Sequence, residues 1–195
     1  MWLWLTNFGV TAKTWVAVHR KHHAKSDTIE DPHSPVVYGL WTVLTKGTVL
    51  YRKAARDVEL VKTYGVGIPE DWMDRNVYTK HRFRGAPLFL VVELVLFGIP
   101  NGFFIWLLQV LILPVWASGF ISGIFHCVGY RNSDTKDSSR NFLPVAVLFG
   151  GAELHNNHHA NPASAKQSVH WWEFDFGWLV IRIMSFFHLL KINRV

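Results

Sequence analysis

The sequence has one cysteine, Cys127, in 195 residues, so no disulfide framework within the chain supports it. A lone thiol also suits a reducing compartment. Charge is scarce, at 17% of residues, while half the residues are apolar, which excludes a disordered or collagen-like chain. The net charge of +6 has no concentrated source: residues 19–84 hold twelve Lys/Arg against eight Asp/Glu, and residues 126–195 hold seven against five. Without a basic block or a nucleic-acid fold signature, no nucleic-acid partner is expected. The chain also lacks HExxH, a Walker glycine loop, GxGxxG, GxSxG and CxxC, which removes the usual zinc-protease, nucleotide-loop, serine-hydrolase and dithiol chemistries. No haem, flavin or iron–sulfur module is visible, so any electrons come from a separate protein.

One further absence organises the chain. From Gly85 to Phe125 there is no Lys or Arg, and Glu93 is the one acid in 41 residues. As helix this run would be roughly 60 Å long, twice a hydrocarbon core of about 30 Å. It reads as a transmembrane hairpin over 85–125, with spans near 83–98 and 103–125 and a turn at Gly98-Ile99-Pro100-Asn101-Gly102. A buried helical pair in a soluble protein would show a polar face. The positive excess on both flanks places 19–84 and 126–195 in the cytoplasm. The expected fold is therefore an all-α integral membrane protein, a single domain with a helical cytoplasmic cap. Residues 1–18 begin with the apolar, Trp-rich MWLWLTNFGVT, which is too short to span and lacks the basic start of a signal peptide. They read as the end of a membrane helix that starts earlier.

Six of the eleven histidines fall in two identical patterns, His19-Arg20-Lys21-His22-His23 and His155-Asn156-Asn157-His158-His159. On a helix, positions i, i+3 and i+4 share an arc of about 100°, so each pentad is expected to present three imidazoles to one point. A strand would send the middle histidine to the opposite face. One such cluster fits a surface feature, a pH sensor or a structural zinc site as well as a metal centre. Two clusters, each outside an apolar segment on the same side, offer six neutral nitrogen ligands, more than one tetrahedral zinc uses. A two-metal centre is the economical reading. His126, at the cytoplasmic end of the second span, joins it, because a polar ring there is costly without a function. His33, in Asp31-Pro32-His33-Ser34-Pro35, either hydrogen-bonds a ligand or stabilises a turn. His81, His170 and His188 read as structural or solvated, and Glu93 has no assigned role.

The stretches HRKHHAKSDTIEDPHSP (19–35), GIFHCVGYRN (123–132) and ELHNNHHANPASAKQSVHWWEFDFGW (153–178) resemble the membrane-bound fatty acyl desaturases, most closely the bacterial acyl-CoA type. Histidine-box hydroxylases share the HxxHH spacing but much less of the sequence after the second pentad. The resemblance implies an O2-dependent enzyme with two irons that introduces a cis double bond into a long acyl chain. Its ligands would be His19, His22, His23, His126, His155, His158 and His159, with no catalytic residue beyond the metal site. It further implies an acyl thioester or lipid substrate, a ferredoxin, rubredoxin or cytochrome b5-type electron donor, and a bacterial inner membrane with the metal site on the cytoplasmic side. Trp15 matches a tryptophan beside the family's acyl tunnel. Ser122 stands where many relatives have an asparagine that holds a metal-bound water.

Two departures matter. Ala17 and Val18 replace a charged pair that contacts coenzyme A in animal relatives. The family's first histidine box, HxxxxH, which supplies one ligand to each iron, has no counterpart before His19. On this reading the chain is an N-terminally truncated desaturase, inactive by itself. A fatty acid hydroxylase and a non-catalytic relic are the alternatives.

Overall fold

The computed structural model describes residues 1–7 and 9–195. Helix formation at the first pentad starts with Thr11. Its hydroxyl accepts the backbone N–H of Thr14, and the Thr14 hydroxyl accepts the backbone N–H of Thr11, a reciprocal cap that satisfies two otherwise orphan donors. Helix α1 (Trp2–Thr6) precedes this cap and α2 (Ala12–Lys25) follows it. The segment 1–18 thus divides between two helices, with residue 8 outside the described residues. After α2 come α3 (Pro35–Tyr38), α4 (Leu40–Ala55) and α5 (Val58–Tyr64). Ala17 and Val18 are fully buried against Leu60 of α5, and Tyr51, Ala54 and Ala55 of α4 close over them. That apolar contact fixes the rotation of α2 and so the direction of the neighbouring histidines.

Helix α6 (Gly85–Phe97) packs against α7 (Ile99–Pro114). Here the structure corrects the expected turn. Only Gly98, at φ +76°, breaks the two helices, and α7 has begun by Ile99. Pro100 fits the first helical turn, where no intrahelical N–H is required. Gly102 belongs to the helix contact, since a Cβ there would collide with the backbone of Glu93 and Leu94. The indole of Trp106 donates to the Ala86 carbonyl at 2.9 Å, and the Gln109 amide to Glu93 at 3.2 Å, across the same interface.

Beyond Pro114 the helix widens into a π-helical turn, Val115–Ile121, and ends in a 3₁₀ turn, Ile124–His126. Proline offers no N–H to the helical ladder. The Ser118 hydroxyl instead donates to the Pro114 carbonyl, and Gly47 of α4 crosses against Ser118. Residues Ile99–His126 form a continuous apolar segment of 28 residues, about 42 Å long and sufficient to cross a membrane. Little of its most apolar 18-residue stretch is buried, unlike the core helix of a soluble protein, while Phe125 and His126 at its end are buried. Among the described residues it is the one helix of that length and composition, since α6, at about 20 Å, is shorter than a hydrocarbon core.

Residues 126–195 are less helical than the sequence suggests. They contain α8 (His155–Ala160), α9 (Phe176–Phe186) and a two-residue parallel pair, β1 (Val145–Ala146) with β2 (Phe174–Asp175). The remaining loops are held by side chains. The Arg131 guanidinium donates to the carbonyls of Thr135, Asp137 and Ser139, and Asn156 accepts the backbone N–H groups of Asn132 and Ser133. Such contacts leave no periodic pattern in a sequence.

Candidate metal centre

Both pentads are helical, the first in α2 and the second in α8. They do not each feed one point, however. His22, His126, His155 and His159 form one cluster and His19, His23 and His158 another, with the potential ligand atoms of each cluster within 4.8 Å of one another. Each pentad keeps its i and i+4 histidines together and sends its i+3 histidine into the other cluster. The cause is angular. Positions i and i+4 lie about 40° apart on a helix, whereas i+3 lies about 60° to the other side of i. Two facing helices therefore exchange their middle histidines.

The chemistry of these donors fits metal ions. The His126 and His155 Nε2 atoms are 3.1 Å apart, His19 and His23 Nε2 3.1 Å, and His19 and His158 Nε2 3.2 Å. Two imidazoles bound about 2.1 Å from one ion at right angles would have nitrogens about 3.0 Å apart. Moreover, His22 Nε2, His159 Nε2, His155 Nδ1 and His158 Nδ1 are buried and have no hydrogen-bond partner. Buried ring nitrogens without a partner are costly unless a ligand engages them, and the Nε2 atoms of His22 and His159 both belong to the buried four-histidine cluster.

Carboxylates set the ring orientation in the buried cluster. His22 donates from Nδ1 to Asp31 at 2.9 Å, and His159 from Nδ1 to Asp137 at 2.9 Å. These bonds leave Nε2 as the atom free to take a metal. His126 Nδ1 lies 3.4 Å from the Ser138 hydroxyl and 3.7 Å from Asp27. Asp27 also accepts from Ser34 and from both the backbone and hydroxyl of Ser138, joining the loop after α2 to the loop after His126. The second cluster has no such carboxylate partners among the described residues and is half-buried rather than buried.

Burial, followed by repulsion from neighbouring histidines, holds His19 and His155 well below the ordinary 6.5. His158 and His159 are pushed down to about 4 and His33 to about 3, again chiefly by burial. These rings are neutral at pH 7, the form in which imidazole binds metal. Burial alone would raise the carboxyls of Asp31 and Asp137, but the hydrogen bonds and charge interactions around each, led by the bonds from His22 and His159, together outweigh it and keep both ionised.

Of the other residues singled out in the sequence, His33 stacks on His22 at 4.7 Å and forms a compact buried group with His22 and Asp31. Trp15 stacks on His19 at 5.0 Å. Ser122 is half-buried and makes no side-chain hydrogen bond among the described residues. Sequence reasoning missed Asp27, Asp31 and Asp137, and it missed the support beneath α8. Glu173 accepts from Tyr130, Asn132, Asn157 and the backbone N–H groups of Val169 and His170. The two asparagines inside the second pentad therefore anchor the helix that carries its histidines. Asp31, beside His33, carried a local signal; Asp137 and Glu173 lie far from their partners in sequence.

A family model described as fatty acid desaturase matches residues 1–185. The chain is 32% identical over 182 residues to an sn-1 stearoyl-lipid 9-desaturase of Synechocystis sp., covering 91% of this chain and 54% of that protein. It is 32% identical over 183 residues to an sn-2 palmitoyl-lipid 9-desaturase of Nostoc sp., covering 91% and 61%. An acyl-CoA 5-desaturase of Anemone leveillei is 29% identical over 186 residues, covering 93% and 55%. The chain thus spans little more than half the length of these relatives.

Proposed function

The chain belongs to the fatty acid desaturase family, and from that premise we propose that its seven clustered histidines hold two irons for O2-dependent desaturation of a long acyl chain. The observation that carries this reading is the exchange of His22 and His158 between clusters, which makes a four-nitrogen and a three-nitrogen site from two helices and His126. Bound iron supplies what side chains lack, the removal of hydrogen from an unactivated methylene. Two hydrogens from adjacent carbons leave with O2, two electrons and two protons as two waters.

The protein's own contribution is to position and tune. Asp31 and Asp137 fix the protons of His22 and His159 on Nδ1 and direct Nε2 inward. Burial keeps His19, His155, His158 and His159 neutral, and Trp15 covers one face of His19. Ser122 is proposed to hold a water near the centre and His33 to support His22. We assign 85–125 to a membrane hairpin; its second leg is supported by the apolar segment Ile99–His126, and its first, α6, is apolar but shorter. Residues 19–84 and 126–195 form a cap on the cytoplasmic side, for which a bacterial inner membrane is the proposed setting. Named relatives act on lipid-linked chains and on an acyl-CoA, so the substrate is an acyl lipid or thioester, and a separate redox protein delivers the electrons. With three protein ligands at one position, the 195 residues alone are expected to turn over no substrate.

The test is production of the full-length protein in bacterial membranes with iron and reduced ferredoxin, followed by mass spectrometry of the acyl chains. New cis double bonds are expected. Iron-loaded protein without them would overturn the proposal, and a hydroxylated product would assign hydroxylase chemistry instead.

A further inference from the structure

Residues 143–149 and the segment from Phe176 to Leu189 form an apolar surface that the metal centre does not use. Phe149 stacks on Trp116 at 4.5 Å and on Phe120 at 5.7 Å, with Phe125 at 5.0 Å on its edge. About 20 residues of helix cross a hydrocarbon core, and 20 residues counted from Ile99 end at Ser118. Trp116 and Phe120 therefore stand where an aromatic belt marks the edge of the bilayer, and Phe149 shares their level.

Helix α9 starts from the same place. Asp175 caps it by accepting the Trp178 N–H at 2.8 Å, and a Cβ on Gly177 would collide with the carbonyl of Gly150. None of its 11 residues is buried and Arg182 is its one charge. Leu179, Val180, Ile183, Met184 and Phe186 are all exposed, the last at 77%. Leu148, next to Phe149, is 65% exposed. A helix that is apolar nearly all round and unburied in its own chain belongs in a lipid environment or against another apolar surface.

Two facts select lipid. The surface is continuous with the outward face of the segment Ile99–His126 through Phe149. From Phe176 to the end the chain carries Arg182, Lys191 and Arg194 and no acid, which complements an anionic lipid surface. At about 16 Å, α9 is shorter than a bilayer core, so it lies within the interface. We propose that residues 143–149 and α9 form a second membrane contact, immersed in the interfacial layer of an anionic bilayer beside the spanning helix. The segment 126–195 then turns one face to lipid while its other face supports the histidines.

The test is site-directed spin labelling of the full-length protein in phosphatidylglycerol-rich nanodiscs. In a Cys127→Ser background, Phe186→Cys and, independently, Leu148→Cys carry a nitroxide, and bound metal at the parent level reports an intact fold. The expected result at both sites is a severalfold rise in the ratio of oxygen to nickel-chelate collisions relative to free nitroxide in buffer. A ratio equal to that in buffer would overturn the proposal. So would low collision with both reagents, which would mean that protein covers the surface, either another segment of the full-length chain or a second copy.

Discussion

His158 of the second pentad sits with its Nε2 3.2 Å from Nε2 of His19 in the first, away from the cluster that holds its own neighbours His155 and His159. His22 makes the reverse crossing. Each site therefore depends on both helices, and neither can form unless α2 and α8 dock in register. Docking is secured by groups outside the pentads' histidines: Ala17 and Val18 against α5 on one side, and Asn156, Asn157 and Glu173 on the other.

This crossing predicts which ion a single substitution releases. His158→Ala removes one of three nitrogens from the half-buried site and none from the buried four-histidine site. Iron content should fall from about two per protein toward one, because affinity depends on ligand number. Elemental analysis measures the content, and Mössbauer spectra show which environment is lost. His155→Ala should deplete the other environment. Loss of the same signal in both variants would show that each pentad serves its own metal.

The carboxylate contacts predict a graded effect at the buried site. Asp137→Asn retains an acceptor for His159 Nδ1 but removes the charge that strengthens the hydrogen bond. Disrupting such a partner typically lowers metal affinity by about 10–100-fold. Competition with a chelator should show faster loss of one iron in Asp137→Asn and in Asp31→Asn. Asp134→Asn, three residues earlier on the exposed side of the same loop, should behave as the parent.

The histidine spacing, the apolar run and the helical state of both pentads were legible because each is a local, repeating pattern. The pairing of His22 with His155 and His159 was not, since it depends on how α2 and α8 face one another. Asp137 and Glu173 were illegible for a related reason: their partners His159 and Asn157 are reached by loop folding, with no spacing rule. At Gly98–Gly102 the residue types were informative but ambiguous. Proline and glycine mark a turn in general, yet here Pro100 occupies a first helical turn and Gly102 a helix contact.

The buried rings make the metal-free protein acid-sensitive above the range of ordinary carboxylates. His158 and His159 titrate near 4 when folded and near 6.5 when unfolded. Above pH 6.5 neither state binds these protons and the shifts cost nothing. Between about pH 6.5 and 4 the unfolded chain takes them up and the folded chain does not. Stability then falls by up to about 1.4 kcal/mol per pH unit for each group. The ionised Asp31 and Asp137 add a second loss at lower pH, as acid protonates carboxyls that are held down in the fold. Denaturation of metal-free protein in detergent should show a midpoint decline that begins near pH 6.5. A flat profile down to pH 5 would contradict the neutral, buried state of these histidines.

Gly102 provides a test of the helix contact that is independent of metal. Were it part of a flexible turn, an alanine there would be tolerated. In the structure α7 has already begun and a Cβ would enter the backbone of Glu93 and Leu94, so neither side chain movement nor a rotamer change can relieve the clash. The helices must separate, straining the Trp106–Ala86 and Gln109–Glu93 hydrogen bonds. Overpacking of this kind costs about 1–3 kcal/mol, and Gly102→Leu should cost more than Gly102→Ala. Gly98→Ala should also destabilise, by about 1–3 kcal/mol, through its positive φ with ψ near 167°, a region essentially confined to glycine, and not through a contact, because nothing lies within 4 Å of a Cβ at that position. Thermal unfolding in detergent separates the two causes: the cost should rise with side-chain size at position 102 and stay nearly constant from alanine to leucine at 98. The opposite ranking would restore the turn to residues 98–102 and remove the close crossing of α6 and α7.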